Sequence, residues 1–132
     1  MALKKGFKQL VAEAEQEIES LTPEEVDRRS GTDGVVLVDL RDIRELQREG
    51  QIPGAKHIPR GMLEFWVDPE SPYHKDFLTD ARQVIFYCSA GWRSALATKT
   101  VQDMGMDNVS HMAGGFTQWV RDIGRVKSVD KK

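Results

Sequence analysis

The amino-acid sequence predicts a three-layer α/β domain, in which helices cover both faces of a parallel sheet. Two short apolar runs, Val35–Asp39 and Gln83–Tyr87, do not alternate between apolar and polar residues, a pattern typical of strands buried on both faces. Helical patterns separate the strands, so we expect crossover connections between parallel strands. The length of 132 residues suits one domain with a substantial core but not two.

Composition narrows the class of function. The chain is 39% hydrophobic and 30% charged with a formal charge of −2, so nothing in it favours nucleic acid or an anionic membrane as partner. No apolar run approaches the ~18 residues of a membrane-spanning helix, and the first ten residues lack a signal-peptide pattern. The single cysteine excludes an internal disulfide. We therefore expect a protein of the reducing cytoplasm.

Residues 1–20 are predicted to form an amphipathic helix that precedes the domain. Its apolar residues recur at helical spacing in a single stripe: Leu3, Phe7, Leu10, Val11, Ala14, Ile18 and Leu21. One interpretation is that the stripe packs on the chain's own domain. The other is that it contacts a protein partner or a second copy in a homodimer.

Two further helices have clear start signals in the domain, which we place at residues 21–124. Thr22 with Glu25, and Asp42 with Glu45, have the spacing of capping boxes, and Gly50 marks the end of the second helix. The remaining predictions are a strand at Ala55–Ile58, a helix at Trp92–Met104, a strand at Asn108–Met112, a helix from the "GGFTQW" segment and a frayed tail over 125–132. Gly61–Asp80 gives no clear pattern.

The candidate active site is the only cysteine, Cys88. It stands at the carboxyl end of a predicted strand, where parallel sheets bind their ligands. Ser89, Ala90 and Gly91 are small, so their backbone N–H groups can turn inward, and Gly91 can take a positive φ. A helix starts directly afterwards and directs its free amides at the same point. This cradle favours an anion such as the Cys88 thiolate.

These segments resemble the rhodanese-like sulfurtransferases. "CSAGWRS" is similar to their Cys-x-x-Gly-x-Arg signature, "LVDLRD" to their first-strand motif, "GQIPGAKHIP" to their Gly-His-Ile-Pro-Gly-Ala motif and "MAGGFTQW" to their closing segment. One departure is Gln51, which stands where the family usually has His.

The resemblance implies a five-stranded parallel sheet and a ping-pong reaction without a cofactor. The Cys88 thiolate would take the outer sulfur of a small anionic donor such as thiosulfate, leaving a persulfide. A thiol or cyanide would then accept this sulfur. The loop residues expected to hold the persulfide are Ser89, Ala90, Gly91, Trp92, Arg93 and Ser94, with Arg93 supplying positive charge for the donor.

Two other functions stay open. Phosphatases of the cell-cycle type and arsenate reductases on this fold have five residues between Cys and Arg, whereas this loop has four. The shorter loop is expected to suit one sulfur atom better than a phosphate. Many rhodanese-like domains are binding or regulatory modules, although these commonly lack the cysteine.

Several residues have competing structural and functional interpretations. Asp39 and Arg41 either form a structural pair or line the cleft, where Arg41 would attract the donor. Trp92 is expected to cover one side of the cleft, and Arg60 and Glu64 to belong to its wall together with Phe65 and Trp66.

The three histidines, His57, His74 and His111, receive no catalytic role, because nothing in the sequence places one beside Cys88. The spacing needed for a zinc site is absent from the sequence.

Overall fold

The computed structural model describes residues 1–130, and it confirms a three-layer α/β domain. Five parallel strands form one sheet in the order β1-β5-β4-β2-β3. The strands are β1 (Glu19–Leu21), β2 (Val35–Asp39), β3 (Lys56–His57), β4 (Gln83–Tyr87) and β5 (Val109–Met112). The helices are α1 (Phe7–Glu17), α2 (Pro23–Arg29), α3 (Ile43–Glu49), α4 (Leu63–Val67), α5 (Asp76–Asp80), α6 (Trp92–Asp103) and α7 (Gly115–Asp122).

The central strand β4 shows why the apolar runs do not alternate. Val84 and Phe86 point into one hydrophobic cluster, which α4, α5 and α6 cover. Ile85 and Tyr87 point into the other, which α2 and α7 cover. Both faces of the strand are therefore buried, as expected for a parallel sheet with helices on each side.

Both predicted capping boxes are present, and they fix where α2 and α3 begin. Thr22 Oγ1 accepts a hydrogen bond from Glu25 N, and the Glu25 carboxylate accepts one from Thr22 N. Asp42 and Glu45 make the reciprocal pair at α3. The helix α3 ends at Gly50, whose φ of 86° lies in the left-handed region.

The N-terminal segment differs from the predicted helix over 1–20. The helix α1 covers only Phe7–Glu17, and the chain then joins the sheet as β1, so Leu21 is a strand residue of the core. Along the stripe, Val11 and Ala14 are buried, whereas Leu3, Phe7 and Leu10 stay largely exposed. Gln102 and Lys99 of α6 bond to Glu17, which holds the end of α1 against α6.

The start of the predicted tail is held against the domain, so the expectation that it is frayed is wrong there. The backbone of Lys127 pairs with Gln51 in an antiparallel bridge, and the Trp119 indole N–H donates to Arg125 O at 2.7 Å. The last two residues of the tail lie outside the described part of the chain. Gly61–Asp80, which gave no clear pattern, contains a 3-10 turn at Arg60–Met62, α4 and α5.

Candidate active site

The loop after β4 forms a cradle of backbone amides around the sulfur of Cys88. Cys88 Sγ accepts hydrogen bonds from Gly91 N at 3.2 Å and from Ser94 N at 3.4 Å. Gly91 has a φ of 98°, which turns its N–H inward, and Ser94 lies in the first turn of α6. The amides of Gly91 and Ser94 therefore meet at the sulfur, where they stabilise negative charge. For Ser89 and Ala90 the inward-turned amide stays a prediction.

The start of α7 bonds to the loop that forms the cradle and fixes its conformation. Phe116 N donates to Cys88 O at 2.7 Å, and Thr117 N donates to Ser89 O at 3.1 Å. These bonds turn the loop carbonyls away from the sulfur. Gly115 allows the approach, because a Cβ at this residue would lie 2.5 Å from both carbonyl oxygens. The Gly-Gly pair of the closing motif is thus part of the site's support.

Arg93 makes a bidentate pair with Glu45 at the start of α3, and both side chains line an open pocket at the surface. Its Nη1 and Nη2 donate to the two carboxylate oxygens at 2.9 and 3.1 Å. The hydrogen bond to Arg93 holds the pKa of Glu45 below its ordinary value, and Glu45 raises the pKa of Arg93. Glu45 was not among the predicted site residues. Its role depends on a contact between positions 48 residues apart, which sequence spacing does not reveal.

Trp92 and Ala90 form the exposed side of the loop. The Trp92 side chain lies against Phe7 of α1, with ring centroids 4.8 Å apart, so the N-terminal helix reaches the loop after β4. Arg60 Nη1 donates to Glu64 at 2.9 Å, and this pair is partly exposed. In the part of the chain that the structure describes, neither side chain makes a hydrogen bond or salt bridge to the loop after β4. Their assignment to the cleft wall therefore stays a prediction.

The structure favours the structural interpretation of Asp39 and Arg41. Both side chains have no exposed surface, and Arg41 Nε and Nη2 donate to Asp39 Oδ1 and Oδ2 in fork geometry, at 3.1 and 2.8 Å. It also donates to Gly50 O at 2.7 Å. Burial opposes the positive charge, but Asp39 raises the pKa of Arg41 above its ordinary value. The geometry gives Arg41 no access to a donor in solvent.

A histidine does stand behind the cysteine, which the sequence analysis missed. His111 of β5 has no exposed surface, and its Nδ1 lies 2.9 Å from Ser94 Oγ. Ser94 Oγ in turn lies 3.6 Å from Cys88 Sγ. His57 instead bonds to Arg41 O, and His74 pairs with Asp76. The signal was weak because a single polar residue in an apolar strand does not show which loop it faces.

No group of three or more His, Cys, Asp or Glu side chains among residues 1–130 is arranged to hold a metal ion. Within the same residues, no helix has the length and hydropathy to cross a membrane.

A five-stranded parallel sheet and a strand-end cysteine in an amide cradle define a class of small α/β proteins with a cysteine-centred anion site. The chain belongs to the rhodanese-like domain family, whose signature matches residues 22–122. The match leaves out α1 and β1.

Three comparisons indicate what this chain is similar to. It is 31% identical over 91 residues to the thiosulfate sulfurtransferase/rhodanese-like domain-containing protein 3 of Mus musculus, covering 65% of this chain and 58% of that protein. A solved protein of unknown function from Rhodopseudomonas palustris, described as a possible tyrosine phosphatase, is 45% identical with a TM-score of 0.91, covering 96% of this chain and 98% of that one.

The third is the polysulfide-sulfur transferase homodimer of Wolinella succinogenes, which is 27% identical with a TM-score of 0.70 and covers 93% of this chain and 88% of that one. Family membership and these sulfurtransferase neighbours support sulfur transfer as the general activity.

Proposed function

We propose that this protein transfers sulfane sulfur from a small anionic donor to a thiol or cyanide through a persulfide on Cys88. The observation that carries the proposal is the environment of the Cys88 sulfur. At the end of a parallel strand, Cys88 Sγ accepts hydrogen bonds from the backbone amides of Gly91 and Ser94. Amides fixed in this way stabilise a sulfur anion without having to reorganise during the reaction.

In the first half-reaction the Cys88 thiolate attacks the outer sulfur of thiosulfate. A bond forms between Sγ and that sulfur, the sulfur–sulfur bond of thiosulfate breaks, and its electron pair leaves with sulfite. In the second half-reaction an acceptor thiolate or cyanide attacks the terminal sulfur of the persulfide, and Cys88 leaves as a thiolate. A covalent carrier thus divides one transfer into two easier steps.

The donor's charge is matched by Arg93, which lies five residues after Cys88 and is held by Glu45. A dianion such as thiosulfate competes with the Glu45 carboxylate for the guanidinium. We expect the donor to draw Arg93 away from Glu45 as it binds. Thiosulfate and polysulfide are both donors of this chemistry, and the relatives named above support each of them.

The intact mass of the protein after incubation with thiosulfate tests the proposal. We expect one added sulfur, which dithiothreitol removes and cyanide converts to thiocyanate. Cys88→Ser should give no adduct, and Met62→Leu is a control for nonspecific sulfur oxidation. Absence of the adduct with both thiosulfate and polysulfide, or its persistence in Cys88→Ser, would refute the persulfide mechanism.

A phosphatase is the second candidate, because the Rhodopseudomonas palustris relative is described as a possible one. The four residues between Cys88 and Arg93 argue against it, since a shorter loop leaves less room for a tetrahedral oxyanion. Arg93 is also already paired with a carboxylate. Hydrolysis of an aryl phosphate by the wild-type protein at a rate similar to its sulfur transfer, and lost in Cys88→Ser, would favour this candidate instead.

A further inference from the structure

Behind the catalytic loop, four side chains form a continuous line of hydrogen bonds from the buried sulfur to the protein surface. Cys88 Sγ lies 3.6 Å from Ser94 Oγ, which lies 2.9 Å from His111 Nδ1. The other ring nitrogen, Nε2, lies 3.1 Å from Ser20 Oγ. Cys88, Ser94 and His111 are almost completely buried, whereas Ser20 of β1 is exposed.

We propose that Ser94, His111 and Ser20 form a relay that carries the Cys88 proton to the surface and turns the Ser94 hydroxyl toward the sulfur anion. His111 and Ser20 are positioning residues in this relay, since they act on the sulfur through Ser94. The relay itself does not depend on the proposed function. Only its consequence does, namely that the nucleophile of sulfur transfer loses its proton without contact with bulk water.

Two arrangements of the same hydrogen bonds satisfy every member of the line. With Cys88 as a thiol, S–H donates to Ser94 Oγ, the Ser94 hydroxyl donates to His111 Nδ1, and His111 Nε2–H donates to Ser20 Oγ. With Cys88 as a thiolate, every bond is reversed. Ser20 then donates to Nε2, Nδ1–H donates to Ser94, and the Ser94 hydroxyl donates to the sulfur.

The change between the two arrangements releases one proton. The Cys88 proton moves to Ser94 Oγ, while Ser94 gives its own proton to His111 Nδ1. Nε2 gives its proton to Ser20 Oγ, and Ser20 gives its own to water. The electron pair of the S–H bond stays on Cys88, and the other three groups end neutral. The tautomer of His111 thus reports the charge of the cysteine.

The surroundings of His111 suit a neutral ring that changes its tautomer. Burial alone lowers the pKa of His111 to about 4, so the ring is uncharged at neutral pH. Its side-chain partners on the packed elements are Ser20 of β1 and Ser94 of α6. The charged groups next to these partners are engaged elsewhere, Glu19 with Arg29 and Arg93 with Glu45. Within residues 1–130, no carboxylate bonds to either ring nitrogen, whereas in a catalytic triad an aspartate fixes one tautomer.

Without His111, the Ser94 hydroxyl has another acceptor that would hold it away from the sulfur. Ser94 Oγ lies 3.3 Å from Gly91 O. In His111→Leu the hydroxyl is expected to bond to this carbonyl and to leave the thiolate with its two amides. Loss of one hydrogen bond to a charged group is expected to destabilise the thiolate about tenfold relative to the thiol. The pH at which alkylation of Cys88 reaches half its maximal rate should then rise by about one unit.

The decisive measurement is the nitrogen NMR spectrum of the three histidine rings across the pH range in which Cys88 becomes reactive toward iodoacetamide. We expect His111 to change from the Nε2–H to the Nδ1–H tautomer at the alkylation midpoint. His57 and His74 serve as internal references. In Cys88→Ala the tautomer of His111 should stay constant. A wild-type tautomer that does not change, or a change that persists in Cys88→Ala, would overturn the relay.

Ser20→Ala tests the exit without disturbing the core, because Ser20 is exposed. We expect alkylation at pH about 6 to slow by about threefold to tenfold, with a smaller change at pH about 9. Ser128→Ala, at another exposed serine, is the matched control. Equal rates for Ser20→Ala and wild type at both pH values would refute the role of Ser20. Neither alkylation nor NMR needs a sulfur donor, so these results remain interpretable even if sulfur transfer fails.

Discussion

Two loops leave neighbouring strands at the same edge of the sheet, and each contains an arginine. Asp39 of β2 pairs with Tyr87 of β4, so Leu40 and Cys88 are the equivalent next residues. In the β2 loop, Arg41 is wholly buried and bound to Asp39. In the β4 loop, Arg93 is partly exposed and bound to Glu45 on another element. Arg41 is thus held by a buried carboxylate of the strand before it and by Gly50, whereas Arg93 is held by a partly exposed carboxylate on another element.

The backbone amides follow the same division. Arg41 N donates to the Asp39 carboxylate, so the β2 loop supplies its own anion. In the β4 loop, the amides of Gly91 and Ser94 both donate to the Cys88 sulfur. The first loop therefore stabilises the fold, while the second keeps its donors for an anionic sulfur.

Arg41→Met should destabilise the protein by about 3–5 kcal/mol, because it leaves the Asp39 carboxylate buried without its partner. This is a large part of the ~5–15 kcal/mol that typically separates folded from unfolded protein. Urea unfolding at neutral pH measures the loss. Arg44→Met is the matched control: Arg44 also bonds to an aspartate, but its side chain is 81% exposed. A loss below ~1 kcal/mol for Arg41→Met would mean that the pair is not structural.

Gly115→Ala should damage the β4 loop specifically. The new Cβ would lie 2.5 Å from Cys88 O and Ser89 O, so α7 and the loop must separate. We expect a loss of about 2–4 kcal/mol in unfolding free energy and a markedly lower persulfide yield in the protein that remains folded. Gly61→Ala, where a Cβ would meet nothing within 4 Å, should change neither. A normal persulfide yield for Gly115→Ala would show that α7 does not position the cradle.

His111 should make the stability of the protein depend on pH. Burial lowers its pKa from 6.5 to about 4 in the folded protein, so between these values the unfolded chain binds a proton that the folded one does not. Stability is therefore fully present above pH ~6.5 and falls as the pH drops toward ~4, by up to about 3 kcal/mol.

Urea unfolding over this pH range, compared between wild type and His111→Leu, isolates the contribution of His111. The slope should be smaller in the variant than in wild type. Parallel curves for wild type and His111→Leu would contradict the assignment.

The sequence predicted the parts of this site that depend on neighbouring residues. Val35–Asp39, Gln83–Tyr87 and the two capping boxes follow from local patterns, and the structure has them at the predicted positions. The inward amides follow from Gly91 and the helix start after it. In each case a few adjacent residues determine the conformation, through backbone freedom or a side-chain hydrogen bond to a nearby amide.

What could not be predicted depends on contacts across long stretches of chain. Glu45 reaches Arg93 over 48 positions, and Ser20 reaches His111 over 91. Phe7 meets Trp92 only because α1 packs along α6. The end of the N-terminal helix was missed for the same reason. Leu21 continues its apolar stripe, but pairing with β5 makes residues 19–21 a strand. Tertiary hydrogen bonding here overrides the helical spacing.

The smallest expected changes in stability, and the sharpest test of the two loops, concern Arg93 and Glu45. Arg93→Gln should raise the KM for thiosulfate about tenfold, since a hydrogen-bonded charge is lost from the donor site. Glu45→Gln should lower that KM by a few-fold, because the neutral amide competes less with the donor yet can still accept the Asp42 N–H of the capping box. Neither should cost more than ~1 kcal/mol of stability, since the pair is partly exposed.

Steady-state kinetics with thiosulfate, alongside urea unfolding, measures both effects. Arg121→Gln, at an exposed position of α7, is the control. The opposite changes in KM distinguish the two kinds of pair. Removing either member of a locked pair such as Asp39–Arg41 should destabilise the fold in the same direction, whereas removing the members of a replaceable pair should move donor affinity in opposite directions. If both variants instead lost several kcal/mol and kept the wild-type KM, Arg93 would belong with Arg41, and donor recognition would have to come from the amides of the loop alone.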